Sequence, residues 1–154
     1  MLTSRVPAAV DALLAILRAA PGLADVMVLD GPPRTNLSGT ERLYIGHQPD
    51  GGPAVSLAQD FNSAGARTRD EAFAIHCYAE TWSGDTDMQV HRLRVFELVG
   101  EVETALRATN DAPTAPTLTN TVLWAHVTAG DLTQAQGEGA SAGVVFTVTC
   151  QARI

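Results

Sequence analysis

The chain has 154 residues, 45% of them hydrophobic, a length and composition that suit one domain, 1–154, with a core able to form without disulfides or metal. Its net charge is −7, and all ten basic residues are arginine; there is no lysine. An acidic surface repels phosphates, and no basic stripe with interleaved aromatics exists, so sequence-specific nucleic acid binding is disfavoured.

The first element predicted is an amphipathic helix over 4–20. Val6, Val10, Leu13, Leu14 and Leu17 follow helical spacing, Ser4 is the candidate N-cap, Pro7 fits a first turn, and Pro21-Gly22 ends the helix. This segment resembles a signal peptide in outline, but Asp11 interrupts its apolar run. It is read as mature protein in a cytoplasmic setting. No apolar run approaches ~18 residues, so no membrane-spanning helix is predicted.

Short strands are predicted at Val26 to Leu29 and at Arg42 to Gly46, the latter with Leu43 and Ile45 on one face and Tyr44 on the other. A third follows from about 54 to 62. The strongest runs from Asp70 to Trp82, where Phe73, Ile75, Cys77 and Ala79 alternate with Ala74, His76, Tyr78 and Glu80. These last two are close enough to pair as a hairpin.

Thr86 and Gln89 have capping-box spacing at the head of a second helix that runs to about Ala108. Val95, Leu98, Val99, Val102 and Leu106 form its buried seam, which Leu93 and Phe96 are expected to widen. Thr109 to Thr119 reads as a loop and Asn120 to Thr128 as a strand, with Val122, Trp124 and His126 on one face. Ala129 to Gly143 is read as a Gly, Ala and Gln-rich connection. Val144 to Ile154 closes the chain as a strand, with Phe146, Val148, Cys150 and Ala152 on one face and Val145, Thr147, Thr149, Gln151 and Arg153 on the other. The order predicts an α+β fold: a mainly antiparallel sheet with two helices packed on one face.

No catalytic, cofactor-binding or metal-binding residues are assigned. His47, His76, His91 and His126 lack ligand spacing, although His76 and His126 could face each other if their strands are neighbours. Asp85 and Asp87 start like a calcium loop, but Val90 stands where a glycine is required, and helix N-terminal charge explains them better. There is no GxSxG elbow and no phosphate loop. Cys77 and Cys150 are read as buried, reduced thiols, with a cross-strand disulfide as the minor alternative. Trp82 and Trp124 are either core residues or interface anchors.

The strand ending in Glu80-Thr81-Trp82-Ser83-Gly84-Asp85-Thr86-Asp87 leads into a long helix carrying Arg92, Arg94 and Leu106-Arg107-Ala108. Val122-Leu123-Trp124-Ala125, Leu132-Thr133-Gln134 and a terminal strand complete the chain. In element order and length this resembles the tail terminator, or tail completion, proteins of long-tailed bacteriophages, especially those of actinobacterial hosts or prophages. The resemblance implies a virion structural protein and no enzyme. It implies self-association into a ring, usually a hexamer, that caps the tail tube, stops its polymerisation and joins it to the head–tail connector protein. Tube and connector are the implied partners, with no cofactor and no membrane. The implied location is the head-proximal end of the tail, after assembly in the host cytoplasm. The alternative is a small-molecule or peptide-binding α+β module without catalytic activity.

Overall fold

The computed structural model describes residues 2–34 and 39–154. In chain order the elements are α1 (Val6–Ala19), β1 (Met27–Asp30), β2 (Glu41–Ile45), β3 (Val55–Phe61), β4 (Arg69–Trp82), α2 (Met88–Ala105), β5 (Trp124–Gln136) and β6 (Ala140–Arg153). Single 3-10 turns occur at Pro21–Leu23 and Ala115–Thr117. The fold is α+β, as predicted.

The strands form one sheet in the order β1-β2-β4-β6-β5. One edge of β4 is shared end to end by two strands. β2 pairs from Ile45↔Cys77 to Glu41↔Thr81, and β3 pairs from Val55↔Ile75 to Phe61↔Arg69. The handover falls at His76, whose carbonyl accepts from the amides of both Gly46 and His47 at 2.9 Å. Gly46 makes this possible with a φ of +78°, a conformation that costs a glycine little. The pairings are antiparallel except that of β1 with β2.

Alternation along β4 and β6 builds the core. Their register sets Phe73 opposite Cys150, Ile75 opposite Val148 and Cys77 opposite Phe146, all buried. Leu13, Leu14 and Leu17 of α1 and Val95, Leu98, Val99 and Val102 of α2 pack on this face. Both helices therefore cover one side of the sheet. The other side carries Tyr44, His76, Tyr78, Glu80, Thr147 and Thr149 and, among the described residues, has no helix over it.

Glu71 stands on the helix-covered face and is fully buried. Its carboxylate sits at the start of α1, where it accepts from Ser4 Oγ at 3.0 Å, from the Arg5 amide at 2.9 Å and from the Gln59 side-chain amide. Ser4 Oγ in turn accepts from the Val6 amide at 3.0 Å. Ser4 therefore serves the helix start, one residue before the capping position at Arg5. Anionic charge at this end also complements the helix dipole.

Four expectations are corrected. α2 is capped by Asp87, whose Oδ1 accepts from the Gln89 and Val90 amides, and it ends at Ala105. Its Leu93 and Phe96 do not widen the seam: they are 59% and 44% exposed, because the core-facing arc is already filled by Val95, Leu98, Val99 and Val102. Residues 120–123 form a turn rather than strand, since Leu118, Thr119 and Asn120 are left-handed, with φ of 47°, 59° and 63°. Finally, 129–143 is no connection. β5 runs to Gln136, turns over Gly137–Gly139 and returns as β6 from Ala140. Gly130, Gly139 and Gly143 mark close approaches: a Cβ on Gly143 would lie 1.9 Å from the Tyr78 hydroxyl, so only glycine lets that ring lie across the strand.

Replacing Glu71 with Ala leaves the Ser4 hydroxyl and the Arg5 amide without their shared acceptor. Urea titration is expected to show a loss of about 2–3 kcal/mol, the cost of stranded half-buried donors and a lost helix-terminal charge.

Candidate functional site

The histidines fall into three settings. His76 and His126 share the open face of the sheet, but β6 lies between their strands, so they do not face each other. His76 Nε2 meets Ser56 Oγ at 3.0 Å, an exposed pair with no carboxylate on the other ring nitrogen among the described residues. His126 packs on Trp124 with ring centroids 4.6 Å apart, and His47 lies edge-on to Tyr44 at 5.4 Å.

His91 is buried at the start of α2, in a cluster that spacing alone did not reveal. Ser83 Oγ lies 2.8 Å and Asp85 Oδ1 3.1 Å from its Nε2, while Thr81 Oγ1 lies 3.3 Å from Nδ1. The residue types match a Ser-His-Asp triad, but the connectivity does not. A triad places nucleophile and carboxylate on opposite ring nitrogens, so that one orients the ring while the other gives up its proton. Here both crowd one nitrogen. The cluster instead fastens the turn 83–87 to α2. Asp85 also accepts from the Asp87 amide at 3.2 Å, and Asp87 caps the helix. Hydrogen bonds from Ser83, then from His91 and the Asp87 amide, hold the Asp85 carboxyl below its ordinary value of 3.8.

Cys77 and Cys150 are free and buried. They lie on adjacent strands but four residues out of register, roughly 13 Å apart along the strand direction. That separation rules out a disulfide between them. Burial pushes both thiols up to about 12. Among the described residues, no group of three or more His, Cys, Asp and Glu could hold a metal ion.

Surface features are the stronger candidates. Trp82 and Trp124 are both substantially exposed at opposite ends of the open face, which favours the anchor reading over the core reading. On α2, Val90, Leu93 and Phe96 form an apolar stripe turned away from the core. β5 is an edge strand of 13 residues whose one charged residue, Asp131, sits in the bulge between Ala129 and Leu132. The segments 46–54, 62–68 and 106–123 are loops in the structure. The last, with its left-handed turn, closes a cleft of about 720 Å³ against the C-terminal ends of α1 and α2. A smaller hollow of about 270 Å³ on the open face is bordered by Gln48, His76, Thr128 and Thr147. No protein-family model matches the chain, and no curated protein matches it.

Two outcomes follow. Asp85 is held low in the fold, so its contribution to stability is complete above pH ~4 and is lost as pH falls through its folded value. Acid titration of Asp85→Asn is therefore expected to show a shallower loss of stability below pH ~4 than the parent. The native thiols are expected to react with an aromatic disulfide reagent only at the rate of unfolding; fast labelling of both would contradict their burial.

Proposed function

We propose that this protein is a structural assembly protein of the phage tail-terminator kind. It acts as a ring, hexameric as is usual in the family it resembles, that caps the tail tube, ends its polymerisation and joins the tail to the head connector. The observation that carries the reading is the outward stripe Val90, Leu93 and Phe96 on α2. A helix already holding the core with one arc gains nothing in the isolated chain from apolar residues on the opposite arc. Such surface is characteristic of contact with another protein. Two further features support assembly. β5 offers 13 residues of edge strand without a proline, a template for pairing with another chain. The exposed Trp82 and Trp124 are of the residue type most enriched in interface hot spots.

The cleft of about 720 Å³ favours a second reading, a small-molecule or peptide-binding module, because its size suits a ligand. The two readings separate on particles. Deleting the gene from its phage and imaging the lysate is expected to give unattached tails of uncontrolled length, restored to head-joined tails of normal length by the purified protein. Normal joined tails in the deletion would refute the tail reading. In the same complementation, Phe96→Ala is expected to restore joining poorly. Its folding stability should change by only about 1 kcal/mol, since the ring is already half in solvent.

A further inference from the structure

The cleft is acidic as well as apolar. Glu101 and Asp111 line it, and neither has a hydrogen-bond or ion-pair partner among the described residues. Arg107 lines it too, but its guanidinium is engaged by Glu103 at 3.3 Å. Two helices end at the cleft, at Ala19 and Ala105, and present the negative ends of their dipoles to it. Its apolar lining includes Ile16, Pro21 and Pro113. This combination suits a long side chain with an apolar stem and a cationic head.

The chain itself carries a matching segment. Among its loops that are described throughout, only the β3–β4 turn has net positive charge; the others are neutral or acidic. Arg67 supplies that charge, and it is exposed. Its neighbours Ser63, Ala64, Gly65 and Ala66 are small, so the tip is slim. Phe61, 66% exposed at the base of the turn, adds apolar surface beside it. Donor and acceptor are separate parts of the surface: the turn joins β3 to β4, whereas the cleft lies between the C-terminal ends of α1 and α2 and the loop that leads into β5. A contact between two different patches is heterologous, or head-to-tail, and closes into a ring when the rotation per subunit divides a full turn.

We infer that the β3–β4 turn of one copy inserts Arg67 into the Glu101–Asp111 cleft of the next. This rests on the ring reading above and names its subunit contact. A guanidinium offers five N–H donors in a planar fork, which suits pairing with carboxylates.

The test uses the full-length protein. Arg67→Cys and Asp111→Cys are combined in one chain and mildly oxidised, with the buried Cys77 and Cys150 as silent background. A ladder of covalent oligomers ending in a closed species is expected, and each single variant should give no more than dimers. In sedimentation of the otherwise native chain, Arg67→Glu is expected to weaken self-association by about 30-fold or more, as a close charge pair becomes a repulsion. Mixing Arg67→Glu with the E101R/D111R variant makes both contacts between the two chains complementary and both contacts between like chains repulsive, so alternating hetero-oligomers should form. Wild-type oligomers that Arg67→Glu leaves unchanged, with no ladder, would overturn this contact while leaving the ring intact. A chain that neither cross-links nor self-associates would also overturn the contact, and particle imaging then decides the ring reading separately.

Discussion

The alternation of β4 within its ladder is the constraint on which the rest of the structure depends. Thirteen paired positions, from Asp70↔Arg153 to Trp82↔Ser141, lock β4 to β6. Every second residue from Glu71 to Thr81 then faces the helices. A slip of one residue would bring His76, Tyr78 and Glu80 into the core and carry Phe73, Ile75 and Cys77 out to the open face. The same register places Glu71 at the start of α1 and Thr81 under His91 at the start of α2. Both helices are thus positioned from one strand, at points ten residues apart in sequence. The opposite edge of β4 is divided between β2 and β3, so three strands and two helices take their places from it.

Much of this was legible in the sequence where a signal was strong. Phe73, Ile75, Cys77 and Ala79, and Phe146, Val148, Cys150 and Ala152, alternate so regularly that strand and inward face could be read together. β5 beyond Thr128 was not legible because it buries neither face fully. Thr133, Gln134, Ala135 and Gln136 carry no hydrophobic period, and pairing with β6 alone makes them a strand. The outer arc of α2 failed for the opposite reason. Leu93 and Phe96 are as apolar as Val95 and Leu98, and only the packed fold shows which arc the sheet fills. The cap of α2 fell one residue beyond the Thr86–Gln89 pattern because Asp85 is held by His91, which leaves Asp87 at the helix start.

The candidate sites were less readable still. The cleft draws on residues 16–22, 101–107 and 109–119, and no local pattern links those stretches. The His91 cluster uses residues at 81, 83, 85 and 91, close enough to be seen in principle. Their arrangement around a single ring nitrogen is a property of geometry alone, and it separates a structural clasp from a nucleophile and its base. What remains after that distinction is surface: an apolar helix arc, a long sheet edge, two exposed tryptophans and an acidic cleft. Such features suit contact with other chains, in keeping with the function proposed above.

The placement of the two cysteines has a consequence for where such a protein can function. Their sulfurs lie in the core, too far apart to bond to each other and shielded from thiols outside. The folded chain therefore has one covalent form whether its surroundings are reducing or oxidising. Under the proposed tail role, a particle built inside a cell and released into air-saturated medium would cross that boundary once, with nothing in this fold to be remade or protected.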